Sequence, residues 1–416
     1  MSERQGPGSV RALFRNRNFA ALFVARETGW LSAAITDTAI GWQIFSIRHS
    51  AFDLGLIGLV LFVPQLLLAL PAGVIADRYE RRIVCMAAGF ANALLTAGLF
   101  ALALVHANSL AWYFGVLALT GIAYTLGVPA QRSLLPTLVG PRDFVRASAV
   151  ISSVSQFIAI AGPALAGLLI VVGTPFAFAV AVAMQVVSTA SFFFLEKRPA
   201  ADPNETAAPM LHAALEGVRY VFKRKIVLGA ISLDLFAVLF GGAVAMLPAY
   251  ATDVLHVGPT GFGILRAAPG IGAAIVAILI VRRPIERHAG RMLLWCVAGF
   301  GIFTIVFGAS RNFALSVVAL ALTGGFDMVS MVIRTTLVQL QTPDDMRGRV
   351  GAVENIFIGA SNELGAFESG AAAALFGLVP SVILGGIATC VVIGLWSTLF
   401  PQLRAFDRLQ DHTVSP

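Results

Sequence analysis

Residues 55–82 read "GLIGLVLFVPQLLLALPAGVIADRYERR". Nothing between 54 and 76 carries a charge, and then Asp77, Arg78, Glu80, Arg81 and Arg82 follow almost together. About 20 helical residues cross the ~30 Å hydrocarbon layer of a bilayer. The stretch therefore reads as a membrane span that ends at a charged turn. The rest of the chain supports lipid as the solvent. Hydrophobic residues make up 58% of the 416 residues and charged residues 12%, against about 25% charged in a soluble domain. Mean hydropathy is +0.84.

Working outward from this span, twelve apolar runs emerge: 19–46, 54–76, 83–106, 110–131, 144–172, 175–195, 226–251, 259–281, 291–309, 313–333, 349–376 and 378–400. Helices are expected, because a backbone in lipid must satisfy its own hydrogen bonds. The runs lack the alternation of a barrel strand. The first run follows a basic segment, is too long for a signal-peptide core and lacks a small-residue cleavage site, so it reads as a retained span.

Charge sets the topology. With the N-terminus inside, 25 of the 29 Lys and Arg fall on the inner side, Arg48 and Arg311 fall outside, and Arg26 and Arg266 lie within spans. Such asymmetry places both termini in the cytoplasm of a multi-pass inner-membrane protein. It also removes nucleic acid as the explanation of the +7 net charge. The lipid bilayer is the expected partner, and a monomer is expected.

The chain repeats itself. "RSLLPTLVGPRDFVRASAV" (132–150) resembles "RTTLVQLQTPDDMRGRVGAV" (334–353). Arg132 pairs with Arg334, Pro141 with Pro343 and Asp143 with Asp345; after one insertion, Arg146 pairs with Arg349, Val150 with Val353, Gly162 with Gly365 and Gly167 with Gly370. Spans 4–5 thus echo spans 10–11, which implies two six-helix halves related by an axis along the membrane normal. The expected division is 1–195 for the first half, 196–225 for a cytoplasmic linker and 226–416 for the second half with a short tail. Within the linker, "HAALEGVRYVFKRK" (212–225) is basic and amphipathic. It suits either the membrane surface or an ordinary linker helix.

"GVIADRYERR" (73–82) resembles the loop signature of the major facilitator superfamily, carried by Gly73, Asp77, Arg78, Arg81 and Arg82, with Glu80 where a Gly is usual. "GPALAG" (162–167) is similar to the span 5 signature of drug:proton antiporters in that superfamily. "VENIFIGASNELGAFESG" (353–370) resembles span 11 of the drug and siderophore efflux subgroup that includes the enterobactin exporter and macrolide efflux proteins. Span 4, "LALTGIAYTLGVPAQ", lacks the mid-membrane Arg of many such antiporters. The resemblance implies an all-α fold of twelve transmembrane helices and transport by alternating access. It also implies that spans 1, 4, 7 and 10 line a central cavity.

Several residue sets follow. Asp77 at the basic end of span 2 can face the N-terminal end of span 11, whose free N–H groups carry about half a positive charge. Arg347 and Arg349 add to that attraction, so these residues form a candidate cytoplasmic gate with the signature. Gly162, Pro163 and Gly167 are candidates for helix bending and close approach. Acids within spans are functional candidates, because an ionised group at the bilayer centre costs about 2.5–3.5 kcal/mol. Asp37 and Asp327 lie deepest. Burial there disfavours a charged carboxylate, so either can take up and release a proton; structural hydrogen bonding is the alternative. Asp234 and Glu354 sit about two turns from the inner edge, where water can reach. In span 11, Glu354, Asn355, Ser361, Asn362, Gly365, Glu368 and Ser369 share one polar stripe about 140° wide, with Glu363 opposite. Glu368, Asn362 and Arg266 join Asp37 and Asp327 as proton- or substrate-coupling candidates; Arg266 can equally snorkel to the outer surface.

Cys85, Cys296 and Cys390 lie in apolar runs without metal spacing, so no metal is expected. No catalytic set and no Gly-rich lysine loop for ATP occurs. No cofactor and no enzymatic activity are expected. The reading is a secondary transporter coupling protons to a small-molecule substrate, with drugs or siderophores exported. An importing symporter of the same fold and a non-transporting receptor or scaffold are the alternatives.

Overall fold

A computed structural model describes residues 10–196, 210–283, 285 and 287–407. Part of the expected linker (197–209) and the end of the tail (408–416) lie outside the described residues. Every regular element among the described residues is helical. The short α1 (Val10–Arg15) leads into α2 (Arg17–Arg48), α3 (Ala51–Arg78), α4 (Arg81–Leu104), α5 (Leu110–Leu138), α6 (Pro141–Val172) and α7 (Thr174–Ser191). After α8 (Met210–Lys223) come α9 (Lys225–Phe240), the short α10 (Leu247–Ala249), α11 (Gly258–Arg282), α12 (Ala289–Ala309), α13 (Phe313–Leu340), α14 (Arg347–Phe376), α15 (Leu378–Leu399) and α16 (Pro401–Ala405).

Ten of these segments are long and apolar enough to cross a membrane on length and composition. The two other expected spans, α2 and α14, miss that test because they hold the charge. Arg26, Glu27 and Asp37 interrupt α2, and Glu354, Glu363 and Glu368 interrupt α14. The least lipid-like helices are thus the ones that carry most of the candidate acids.

Three details depart from the sequence expectation. The signature region is scarcely a loop: Gly73, Asp77 and Arg78 lie in α3, and Arg81 and Arg82 open α4. Helix α13 runs past its apolar stretch to Leu340, so Arg334, counted above as a loop charge, is inside a helix. The seventh span is not one helix. It breaks after Phe240, passes through a 3-10 turn (Ala243–Met246) and α10, and ends in a π-helical turn, Tyr250–Val254. Gly241 and Gly242 mark the break. A Cβ on Gly242 would stand 2.6 Å from the Ser369 hydroxyl oxygen and 2.7 Å from the Gly365 carbonyl. Only glycine lets α14 approach so closely. Irregular backbone at membrane depth survives where protein or a watery cavity covers it, and here α14 supplies cover.

Packing divides the chain into two units, residues 1–40 with 63–207 and residues 41–62 with 208–416. In the first, Phe19, Leu22, Ala130, Ala147 and Ile151 are among the buried core residues. Close packing also joins α2 to α7, where Ser188 donates a 2.6 Å hydrogen bond to the Ala25 carbonyl and Ser32 one of 2.8 Å to that of Ala181. The second unit has two cores. One gathers Leu233, Leu293, Ile333 and Leu337; the other gathers Val221, Val227, Ile231, Val350 and Val353. Residues 41–62 belong to this unit through contacts such as Trp42 on Phe262, with ring centroids 5.4 Å apart. A Cβ on Gly370 would stand 2.6 Å from the Gly55 Cα, so α3 and α14 touch backbone to backbone there.

Helix α8 does not simply lie free. Val221 is fully buried, and a Cβ on Gly217 would meet the Arg349 carbonyl at 2.7 Å. Its Tyr220 hydroxyl donates to the Gln341 carbonyl at 2.6 Å. One face thus packs on the start of α14, while Leu215 and Phe222 stay exposed.

Candidate functional site

In the first unit, the deep acid Asp37 is exposed, although its neighbours Thr36 and Thr38 are buried. Trp30, about two turns away on the same side of α2, is also exposed. Asp37 is therefore not walled into solid packing. Glu27 differs. It is buried, and the Ser155 hydroxyl on α6 lies 3.0 Å from each of its carboxylate oxygens.

The signature residues mainly brace the first unit. Gly73 is buried and Arg78 exposed; the Asp77 side chain lies outside the described ones. Arg81 donates to the Ser133 carbonyl on α5 at 3.4 Å. Arg82 donates to the carbonyls of Phe192 and Phe193, at 3.0 and 2.9 Å, where the sixth span ends. A guanidinium suits free carbonyls at a helix C-terminus. Gly162, Pro163 and Gly167 are buried in α6, which continues as one helix. A Cβ on Gly162 would lie 2.7 Å from the Ala34 methyl, so close approach to α2 explains that glycine.

In the second unit, α13 and α14 carry the candidates. Asp327 is exposed and lines a small cleft with Asp234, Cys296, Phe300, Phe326 and Ser330. Glu368 is half-buried beside Ser369, and Asn362 is exposed but donates to the Ile358 carbonyl of its own helix at 2.9 Å. Arg266 is half-buried in α11. The polar stripe of α14 is not one open face. Ser361, Gly365 and Ser369 are buried, whereas Asn355 and Asn362 are exposed. A Cβ on Gly365 would meet the Val238 and Leu239 carbonyls at 2.9 Å, so that part of the stripe covers the end of α9. Arg347 pairs with Asp344 at 2.7 Å, and Arg349 pairs with Glu216 of α8.

The sequence reading missed the most buried charge among the described residues. Arg334 has 4% exposure and pairs with Asp234 of α9 and, at 3.5 Å, with Glu354 of α14. Asp234 and Glu354 are therefore not water-reached edge acids. They flank a guanidinium that ties three helices together. The available signal was two acids within spans that needed a cation, and an arginine immediately after the apolar part of span 10.

Among the described residues no group of His, Cys, Asp and Glu is arranged to hold a metal ion, and Cys85, Cys296 and Cys390 are free thiols. The arrangement places both buried and exposed acids within long helices of the chain.

Comparisons with known proteins agree with that architecture. The family model described as a transmembrane secretion effector matches residues 8–415. The chain is 27% identical over 393 residues to the enterobactin exporter of Citrobacter koseri, with 93% of each chain covered. Identity and coverage are the same for the enterobactin exporter of Escherichia coli O1:K1 / APEC. Among solved structures, a bacterial homolog of the human lysosomal transporter Spinster, inward-facing and occupied, aligns with a TM-score of 0.75 at 13% identity, over 96% of this chain and 100% of that one. A bacterial homologue of the iron transporter ferroportin, inward-facing, aligns with a TM-score of 0.67 at 16% identity, over 96% and 100%. At such identities these likenesses show the fold, that of the twelve-helix facilitator transporters.

Proposed function

The chain belongs to the transmembrane secretion effector family within the major facilitator superfamily of transporters, and on that premise we propose that it exports a small organic molecule of the siderophore kind in exchange for protons. Enterobactin, which the relatives at 27% identity are named for exporting, is the first compound to test. One observation carries the coupling part of the reading. Asp37 and Asp327 are exposed acids deep within spans of a membrane protein. A carboxylate facing hydrocarbon would cost about 2.5–3.5 kcal/mol, so each open face is proposed to meet water.

In this reading, Asp37 and Asp327 bind and release protons as the two halves alternate, and Glu368, Asn362 and Arg266 contact the substrate or balance charge. Gly73, Asp77, Arg78, Arg81, Arg82, Arg347 and Arg349 act at the cytoplasmic gate. Gly162, Pro163 and Gly167 let α6 move against α2. The protein works as a monomer in the inner membrane, with both termini in the cytoplasm.

Deleting the gene and measuring cell-associated enterobactin tests the direction. Export predicts accumulation inside the deletant and restoration by the wild-type gene. Lower internal enterobactin in the deletant would instead identify an importer. If Asp37→Asn and Asp327→Asn each restored export fully, the coupling assignment would fail.

A further inference from the structure

We propose that Asp234, Arg334 and Glu354 form a buried proton-binding site that holds one exchangeable proton between its two carboxyl groups. The inference deepens the proton-coupled reading above and rests on that reading only for what the proton does in transport.

Charge balance is the first support. The cluster has one guanidinium and two acids, and the three side chains are 5%, 10% and 13% exposed for Arg334, Asp234 and Glu354. An arginine in a protein stays charged. With both acids ionised, the cluster would keep one uncompensated negative charge away from water. Buried groups in that position take up a proton instead. With one acid neutral, the remaining carboxylate and Arg334 cancel.

Among the described residues, no other cation is placed to do this. On α14, Arg349 is engaged by Glu216 of α8, and Asn355 donates to its own helix at the Gly351 carbonyl. On α8, the Tyr220 hydroxyl is spent on the Gln341 carbonyl. From α15, the Trp396 indole donates to Ser232 of α9. The groups facing Asp234 across the cleft are Cys296 of α12 and Ser330 and Asp327 of α13. None of these brings positive charge, and Asp327 adds to the negative side.

The second support is geometric. Arg334 Nη1 faces the Asp234 carboxylate, and Arg334 Nε lies 3.5 Å from Glu354 Oε1. Two carboxyl groups on different helices therefore share one buried guanidinium, and a proton on either leaves the cation to the other.

Geometry also gives the proton a path. Asp234 faces Arg334 and also lines the cleft that exposed Asp327 lines. A proton taken up at Asp327 passes to Asp234 and is then shared with Glu354 through rearrangement around Arg334. Because the three residues sit on α9, α13 and α14, protonation decides how firmly α14 is tied to the other two. A ligand shifts a conformational equilibrium through such differential binding.

Infrared pH-difference spectra of the purified full-length protein in detergent test this without any substrate. Glu354→Gln and Asp234→Asn each leave one acid against Arg334, so each is expected to fold and to lose one buried protonated-carboxyl C=O component. The double variant should lose no more than one. Arg334→Gln, if it folds, should gain a component, because both acids then take protons. Wild-type carboxyl intensity in either single variant would overturn the proposal, and so would no gain in folded Arg334→Gln. Should the component vanish while proton-driven enterobactin export in the same variants stays normal, the site stands and its role in coupling falls.

Discussion

Arg132 and Arg334 occupy matching positions in the two sequence repeats, yet they live in different surroundings. Arg132 is exposed on α5, whereas Arg334 is 4% exposed on α13 and held by two acids. The one-residue insertion puts Glu354 opposite Ile151, which is 2% exposed. Where the repeat offers isoleucine, the arginine faces outward; where it offers glutamate, the arginine is drawn in. The buried acid of the first half, Glu27, meets the Ser155 hydroxyl. A neutral hydroxyl holds an acid without fixing a cation beside it, but a guanidinium between two acids ties its protonation to helix contacts. Two halves built on one repeat have therefore diverged where buried charge is concerned.

The largest expected effect separates the two arginines. Arg334→Leu strands buried acids and should lower stability by about 3–5 kcal/mol, read as thermal unfolding in detergent. Arg132→Leu should stay within about 0.5 kcal/mol, as for other surface changes. Equal losses would erase the contrast between the halves.

A smaller effect separates the paired glycines. A Cβ on Gly365 would press on backbone carbonyls at 2.9 Å, but one on Gly162 would meet the Ala34 methyl first. Backbone yields less readily than a side chain, so Gly365→Ala should cost about 1–3 kcal/mol and Gly162→Ala less. The reverse order in unfolding temperature would contradict the account.

Next comes Glu354→Gln. It should slow proton-driven export at least about tenfold, equivalent to about 1.4 kcal/mol, while Glu27→Gln leaves export near wild type. Similar losses in both would show that the second half's cluster has no special part. The smallest effect is Glu216→Ala. The Glu216–Arg349 pair is 41% and 37% exposed, so its removal should cost no more than about 1 kcal/mol. A larger loss in unfolding temperature would mean that α8 depends on that pair more than on Gly217 and Val221.

Much of this architecture could be read from sequence because lipid imposes simple constraints. Long apolar runs marked the spans, and the Gly73–Arg82 signature marked the superfamily. The failures cluster where a helix continues beyond its apolar part or breaks within it. Span 10 was ended at residue 333 by its first arginine, which hid Arg334 among the topology charges. Span 7 was read as continuous because Gly241 and Gly242 fit an apolar run; only the approach of the Phe300 ring to Gly241 and of Gly365 to Gly242 shows why two glycines stand there. Hydropathy measures solvent preference and is blind to which neighbour a charge meets. Asp37 and Asp327 were identified as deep acids, but the cluster behind Asp327 required the third dimension.

Exchange of substrate for protons is tested most directly by reconstituting the purified protein in lipid vesicles with an entrapped pH indicator and an imposed pH gradient. Enterobactin is then followed together with internal pH. Enterobactin should move against the flow of protons, and internal pH should shift only when it is present. Enterobactin movement with no accompanying proton flux, or in the same direction as the protons, would contradict the account.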